Sequence, residues 1–392
     1  MRELAARSTD YYQLEELLTE DERLVRDTVR RFVDREVLPH IGGWWLRGEF
    51  PKHLIPALGN LGVLGANLPA EHGAAGVNNI AYGLIMQELD RGDSGLRSFA
   101  SVQGALVMYP IYSYGSEEHK RRWLPRLARG EVVGCFGLTE PSAGSDPGAM
   151  QTRARRRGGG WELSGTKMWI TNGSMADVAV IWAKDDEDEI WGFLVERGTP
   201  GFSANTLHTK ASMRASDTSE LVLDGVKIDG EARLPGAQGL RAALACLTQA
   251  RYGIAWGAVG AATACFEEAL AYARERISFG RPIAARQLIQ ERLVDMLSEI
   301  TKAQLLAYRL GQLKDQGKMR YTHVSLAKRN NVRAALQIAR SARSILGGAG
   351  ITLEHHAMRH AANLETVDTY EGTYDIHTLI LGRDLTGFDA FG

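Results

Sequence analysis

Apolar residues along this chain change their period twice. Up to about residue 130 they recur at helical spacing. Val25, Val29 and Phe32 share one face, just after Thr19 and Glu22, whose separation is that of a capping box. The same spacing predicts helices over 52–61, 80–91 and 98–114, parted by short turns rich in Gly, Asn and Asp. From Val132 to about Leu234 come short β-rich runs, VVGCFGLTE, WELSGTKMWIT, DVAVIWA, IWGFLVE and SELVLDGVKI, bounded by turn residues as in an antiparallel sheet or barrel. From about Gln238 the helical period returns, in longer segments. Ile289, Leu293, Met296, Ile300, Ala303, Ala307 and Leu310 recur at intervals of four and three, a seam for packing against other helices. Residues 250–273 are apolar nearly all round, so that helix is expected to be buried on most sides. A third helix over 325–346 stops at Gly347-Gly348, and a fourth near the C-terminus would complete a bundle. The expected fold is mainly α with a central β domain. It comprises an N-terminal helical domain (1–131), an antiparallel β-barrel-like middle domain (132–236) and a C-terminal four-helix bundle (237–392).

Composition narrows the function classes. A chain of 392 residues is too long for one ordinary core, and 44% hydrophobic with 24% charged residues is globular. The net charge of −1 creates no global field for nucleic acid or an anionic membrane, so an anionic ligand must be held by a few local groups. Two charged runs interrupt the strands, 153–157 (all basic but Ala154) and 185–189. The arginines could form a phosphate patch, though a solvated hairpin tip is the more ordinary reading. The basic segment 318–333 reads as a solvated helix face. Cys135, Cys246 and Cys265 are odd in number and not spaced as metal ligands, which points to free thiols in a reducing compartment. The N-terminus has no apolar h-region and is too acidic for a transit peptide, and no stretch reaches the ~20 apolar residues of a membrane span. A cytoplasmic protein is expected, or a mature mitochondrial matrix protein whose presequence has been removed.

Several common motifs are missing. No GxGxxG follows a strand, and neither a GxxxxGK[ST] loop nor a GxSxG elbow occurs. His356 and His360 are four apart and could share a helix face, but no suitable third ligand lies nearby in sequence, so no metal is expected.

Four stretches do carry chemistry: Cys135-Phe-Gly-Leu-Thr-Glu-Pro-Ser-Ala-Gly-Ser-Asp146; Met168-Trp-Ile-Thr-Asn172; Arg276-Ile-Ser-Phe-Gly280 with Gln287; and Thr369-Tyr-Glu-Gly-Thr373, preceded by Leu346-Gly-Gly-Ala-Gly350. In order and spacing they resemble the acyl-CoA dehydrogenase family over essentially the whole chain. The resemblance implies bound FAD and a homotetramer built as a dimer of dimers. Phe136, Leu138 and Thr139 match contacts to the flavin's pyrimidine edge, Trp169 a plane beside the ring, and Thr171 a bond near flavin N5. Ser145 matches a position near the pyrophosphates of FAD and CoA. Arg276 and Phe279 match residues that reach the FAD of a neighbouring subunit, Gln287, Gly347 and Gly348 match further contacts with it, and Thr373 and Asp375 also match cofactor positions. Ala349 stands where the family commonly has Asn.

Removing a thioester α-proton needs a positioned carboxylate and a stabilised enolate. Family members place that base either at the position of Glu371 or just before an arginine in the first bundle helix, here Ala250 beside Arg251. Alanine cannot accept a proton, so Glu371 is the expected base.

Within the family the chain is similar to glutaryl-CoA dehydrogenases. The likeness lies in Arg91-Gly-Asp-Ser-Gly-Leu-Arg-Ser-Phe-Ala-Ser-Val-Gln103, in Ala250-Arg-Tyr-Gly-Ile-Ala-Trp-Gly257, in Lys328-Arg-Asn-Asn331 and in the segment around Glu371. Arg97, with Ser98 beside it, matches the arginine that holds the distal carboxylate. Tyr370 matches a tyrosine of the decarboxylating members, and Arg251 is expected at the substrate. Asp90 stands where those members carry a glutamate. The implied reaction is oxidation of glutaryl-CoA and loss of CO2 to give crotonyl-CoA, with electrons passed to an electron-transfer flavoprotein. A short-chain acyl-CoA dehydrogenase, or an enzyme that stops at glutaconyl-CoA, is the alternative.

Overall fold

A computed structural model describes residues 9–391. The first eight residues, on which the argument about a leader partly rests, lie outside them.

Helix α1 (Glu20–Phe32) opens on the expected capping box. The Glu22 N–H donates to Thr19 Oγ1, and the Thr19 N–H donates to the Glu22 carboxylate at 2.7 Å. There follow α2 (Ile41–Arg47), α3 (Ile55–Asn60), α4 (Asn79–Gly92), α5 (Ser94–Ser101), α6 (Tyr109–Tyr114) and α7 (Glu117–Ala128). The helix expected over 98–114 starts four residues earlier and runs from α5 to α6 through a π-helical stretch, Val102–Met108. Helices α2 and α7 are not announced by periodicity; α2 is a short seven-residue helix. In α7 the reason is charge. Its first half is charged, and its buried residues, Trp123, Leu124, Leu127 and Ala128, crowd into the second half.

The middle of the chain forms strands β1 (Gly134–Gly137), β2 (Arg153–Arg157), β3 (Gly160–Thr171), β4 (Val178–Lys184), β5 (Ile190–Glu196), β6 (Phe202–Thr206), β7 (Thr218–Asp229) and β8 (Arg233–Gln238). They lie in the order β6-β7-β3-β2-β4-β5-β8, with β1 beside β4. Pairing is antiparallel except at β4, where β1 runs parallel from Gly134–Val178 to Gly137–Ile181 and β2 meets it in parallel at Arg153–Lys184. The middle of the chain is thus the expected β domain, mainly antiparallel with parallel pairing only at β4, and with β6 and β8 at the ends of its path. Short turns join the antiparallel pairs β2–β3 and β4–β5, whereas β1 enters directly from the helices. A buried glutamine seats it: Gln103 donates to the carbonyls of Leu127 (3.0 Å) and Val132 (2.8 Å) and accepts from the Gly134 N–H (2.9 Å).

The arginine run is itself strand β2, and the glycines after it make the turn into β3. Ala154 faces the core while residues 155–157 are exposed, and Arg153 pairs with Asp188, joining the two charged runs.

After the sheet come α8 (Gly239–Glu275), a small hairpin of β9 (Ile277–Ser278) and β10 (Arg281–Pro282), then α9 (Gln287–Asp315), α10 (Tyr321–Ile345), α11 (Ala357–Thr369) and α12 (Tyr374–Thr386). Helix α8 is buried from Ala250 through Phe266, as its composition requires. The α9 seam is buried at Met296, Ile300, Ala303, Ala307 and Leu310. From α10, Asn331 donates to the carbonyls of Ala255 (2.9 Å) and Ala303 (3.2 Å), tying three helices together through their backbones. Helix α4 crosses α8 so closely that a Cβ on Gly260 would stand 1.9 Å from the Gln87 carbonyl oxygen. Among the described residues no helix is long and apolar enough to cross a membrane.

Candidate active site

The last turn of α4 and the first turns of α5 bring Asp90 and Arg97 together. Arg97 is fully buried (0% exposed) and donates from Nε to Asp90 at 2.9 Å. The other Asp90 oxygen accepts from Ser94 Oγ at 2.7 Å. Arg97 Nη2 donates to the Tyr370 hydroxyl, and the guanidinium carbon lies 5.7 Å from the centroid of that ring. Its Nη1 has no partner among the described residues. Ser98 is buried next to it on α5.

A second tie fixes where Tyr370 can be. Asp93 caps α5, accepting from the Gly95 N–H at 2.7 Å, and also takes Arg359 and Asn363 (2.8 Å) of α11. Helix α11 ends at Thr369, so this buried pair sets the loop between α11 and α12 against α5.

In that loop Glu371 has φ 52° and Gly372 φ 91°. Glutamate in the left-handed region costs about 1 kcal/mol or more and persists only where its surroundings hold it. Here they do. Arg251 Nε donates to the Glu371 carbonyl at 2.7 Å, and Lys328 Nζ donates to the carbonyls of Tyr370 (2.8 Å) and Gly372 (2.6 Å). A Cβ on Gly372 would come within 2.9 Å of His377 Nε2, so glycine is also required by space. Thr373 then caps α12, accepting from the Ile376 N–H at 3.1 Å.

Glu371 Oε2 is sealed from solvent and has no partner among the described residues. Burial raises the Glu371 pKa above the ordinary carboxylate value, against the opposing pull of Arg97, Arg251 and Lys328. Burial likewise pushes the Lys328 ammonium down to about 7, with Glu371 pulling the other way. It pushes the Tyr370 phenol up to about 12, opposed by Arg97.

Lys328 corrects the expectation of a solvated basic face. Lys318, Arg320 and Arg329 do face outward or sit part-way, but Lys328 is 1% exposed. Its position three or four residues from Val324, Ser325, Asn331 and Val332, all buried, puts it on the inner stripe of α10. That spacing is the signal in the sequence that marks it.

The sheet supplies a second group. Phe136 and Leu138 are buried in and just beyond β1, and the Thr139 carbonyl accepts from the Met168 N–H at 2.8 Å, placing residues 138–139 beside 168–171. The register of β3 slips between Lys167 and Ile170, a bulge that turns Trp169 outward with φ 64° and 61% of its surface exposed. Thr171 ends the strand, part-exposed, and Ser145 lies exposed in the loop after Glu140. Lys167, fully buried, donates to Glu140 (2.8 Å) and to the Leu138 carbonyl (3.1 Å), bracing this loop; nothing in the strand pattern singled it out.

The remaining expected positions do not join Glu371 within one chain. Arg276 ends α8, Phe279 tips the β9–β10 hairpin, Gln287 opens α9, and Gly347 and Gly348 follow α10; all are exposed. Phe279 stands 94% exposed at φ 48°, its hairpin held by Arg286 bonds to the carbonyls of Ser278 and Phe279. A Cβ on Gly347 or Gly348 would meet nothing within 4 Å. Asp375 is exposed in the first turn of α12. Burial raises the pKa of all three cysteine thiols, so none is a ready nucleophile. His356 and His360 flank the Arg359 guanidinium, at 3.2 and 3.5 Å.

Comparison with known proteins agrees with this arrangement. Residues 19–131, 135–226 and 237–386 match the N-terminal, middle and C-terminal domains of acyl-CoA dehydrogenase. A crystal structure of a glutaryl-CoA dehydrogenase from Mycobacterium smegmatis in complex with FADH2 is 53% identical, with a TM-score of 0.97 over 98% of this chain and 99% of that one. A second structure of glutaryl-CoA dehydrogenase from that organism is 55% identical, with a TM-score of 0.96 over the same shares. The mitochondrial short-chain specific acyl-CoA dehydrogenase of Bos taurus is 36% identical over 94% of this chain and 90% of its own length. The chain belongs to the acyl-CoA dehydrogenase family.

Proposed function

We propose that this protein is an FAD-dependent glutaryl-CoA dehydrogenase that converts glutaryl-CoA to crotonyl-CoA and CO2 and delivers the electrons to an electron-transfer flavoprotein. The observation that carries this reading is a fully buried guanidinium, Arg97, whose Nη1 has no partner among the described residues, in one cluster with Glu371, whose Oε2 is sealed and likewise unpartnered. A buried N–H donor left without a partner is costly, and a carboxylate at the far end of the substrate would satisfy the Nη1 that Asp90 and Tyr370 leave over. The likeness to glutaryl-CoA dehydrogenases at 53–55% identity supports the same substrate.

The residues fit FAD. A tryptophan turned out of its strand by a bulge and a phenylalanine projected into solvent are apolar surfaces that a planar ring system would cover. The open space beside Gly347 and Gly348 admits phosphate oxygens to the backbone. Phe136, Leu138, Thr139, Ser145, Trp169 and Thr171 would hold the cofactor of their own subunit, with Thr373 and Asp375. Arg276, Phe279, Gln287, Gly347 and Gly348 would hold that of a neighbour in a homotetramer. We divide the chain accordingly at residues 131 and 236. When bound, FAD supplies the acceptor for the substrate's β-hydride.

The chain's own groups perform the acid–base work. Glu371 removes the α-proton, and the burial that raises its pKa makes it a stronger base than an ordinary carboxylate and able later to return that proton. The thioester oxygen, as it gains charge, is bonded by the Glu371 backbone N–H. Arg97 Nη1 holds the distal carboxylate, with Asp90 fixing the guanidinium from behind. Once the α,β double bond has formed, that carboxylate is vinylogous to the thioester. Its C–C bond breaks to release CO2, the electron pair passes into the dienolate, and Glu371 returns its proton to give crotonyl-CoA.

Anaerobic titration of the purified protein with glutaryl-CoA tests this directly, following flavin absorbance and CO2 together. Bleaching with one equivalent of CO2 is expected. Bleaching without CO2 would assign the enzyme that stops at glutaconyl-CoA. Bleaching by butyryl-CoA and not by glutaryl-CoA would assign a short-chain enzyme, the reading favoured by the 36% identical relative.

A further inference from the structure

Three successive carbonyls around the expected base end on two buried cations. Lys328 takes those of Tyr370 and Gly372, and Arg251 takes that of Glu371 between them. A helix C-terminus often gathers cations, but these carbonyls lie beyond the end of α11, and two of the residues adopt positive φ. The arrangement therefore shapes the loop itself.

Its consequence follows from peptide geometry. The Tyr370 carbonyl and the Glu371 N–H belong to one planar trans unit, so they point in opposite directions and share one resonance system. An ammonium on the oxygen fixes where the N–H points and draws electron density from the nitrogen. The Glu371 N–H donates to no group among the described residues. We propose that Lys328 is a positioning residue that aims and polarises the Glu371 N–H as the donor to the substrate's thioester oxygen while it becomes an enolate. This rests on the function proposed above and names a part of the site beyond it. The second bond of Lys328, to Gly372, brackets Glu371 from the other side, so one side chain sets both the donor and the base. The charged and titratable groups facing Lys328 are Glu371, Arg251, Asp368, Arg97 and His377.

The test compares two ligands on the FAD-loaded protein. 3-Oxobutyryl-CoA has an acidic C–H between two carbonyls, so its enolate mimics the charged thioester oxygen and would use the donor; S-butyl-CoA, a thioether, has no carbonyl and would not. Lys328→Met is expected to weaken 3-oxobutyryl-CoA about tenfold, the scale of one lost charge-assisted bond, while S-butyl-CoA stays within about twofold. Turnover of glutaryl-CoA should fall in kcat with little change in KM, and Lys328→Arg should recover most of both losses. Should Lys328→Met fail to fold, Lys328→Gln, neutral but able to donate to one carbonyl, carries the same comparison. Equal weakening of both ligands would mean a loop that merely slackens and would overturn the proposal, as would no change in either. Failure of the underlying function looks different. A wild-type protein that binds neither ligand and is not bleached by any acyl-CoA refutes that reading, and this inference with it.

Discussion

At the scale of single residues the site is a problem of buried charge. Glu371 has a carboxylate oxygen without a partner, facing Arg97, Arg251 and Lys328, yet burial still raises its pKa. Two outcomes follow. The base works deprotonated, so kcat/KM should fall as pH drops through an ionisation that lies above the ordinary glutamate value of 4.5. Glu371→Gln should abolish substrate bleaching of the flavin while leaving FAD bound; normal bleaching in that variant would falsify the role. The sign for stability runs the other way. A carboxyl whose folded pKa is raised stabilises the fold at low pH and loses that contribution as pH rises, so Glu371→Gln should melt above wild type at pH 8, with the gap closing toward acid. For Arg97, truncation to Met should cost on the order of 100-fold on glutaryl-CoA and under about tenfold on butyryl-CoA, because only the former loses an ionic partner. Equal losses on both substrates would remove the carboxylate role. The family resemblance is what singles out Glu371 and Arg97 in the sequence; Ala250 beside Arg251 leaves Glu371 as the one candidate base, whereas the segment of Arg97 alone reads as readily as a surface arginine after a turn. The basic neighbours of Lys328 mask the buried spacing that marks it, and Lys167 carries no such signal in its strand; both are held by backbone carbonyls that a sequence does not display.

At the scale of elements, long periodic segments declared themselves and short or charged ones did not. The seam of α9 and the all-round burial of α8 are statements about many residues, so no single exception disturbs them. Strand β2 is mostly arginine because three of its side chains face water, and β6 and β8 are short edges with little apolar content to read. The parallel run of β1 beside β4 depends on Gln103, one polar side chain in a buried helix, and no pattern along β1 itself encodes it. The tie between α5 and α11 is equally invisible, because Asp93 and Arg359 are 266 residues apart. It makes a strong prediction. Asp93→Ala removes the α5 cap and strands a buried arginine, which should cost about 3–5 kcal/mol in chemical denaturation. Asp93→Asn, which keeps a cap, should cost less. A loss under about 1 kcal/mol for the alanine variant would show that the pair does not hold the two helices.

At the scale of the whole molecule, the chain presents two incomplete surfaces. Glu371, Arg97 and Lys328 converge within one subunit from α5, α10 and the loop before α12, whereas Arg276, Phe279 and Gln287 are exposed and lie apart from that cluster. Phe279 stands 94% exposed at φ 48°, apolar surface that a neighbouring subunit's cofactor would cover in the proposed tetramer. If a neighbour's cofactor does cover it, the defects should complement. Co-expression of a subunit carrying Arg276→Ala and Phe279→Ala with one carrying Glu371→Gln places both lesions in one site of each mixed pair and leaves the other site intact. Each variant alone should be nearly inactive. Random pairing makes half of the pairs mixed, with one good site each, so roughly a quarter of wild-type activity should return. If Arg276 and Phe279 served their own subunit instead, every site would carry one lesion or the other, and mixing would restore nothing. The measurement thus separates a hairpin that completes a neighbour's site from one that is merely exposed.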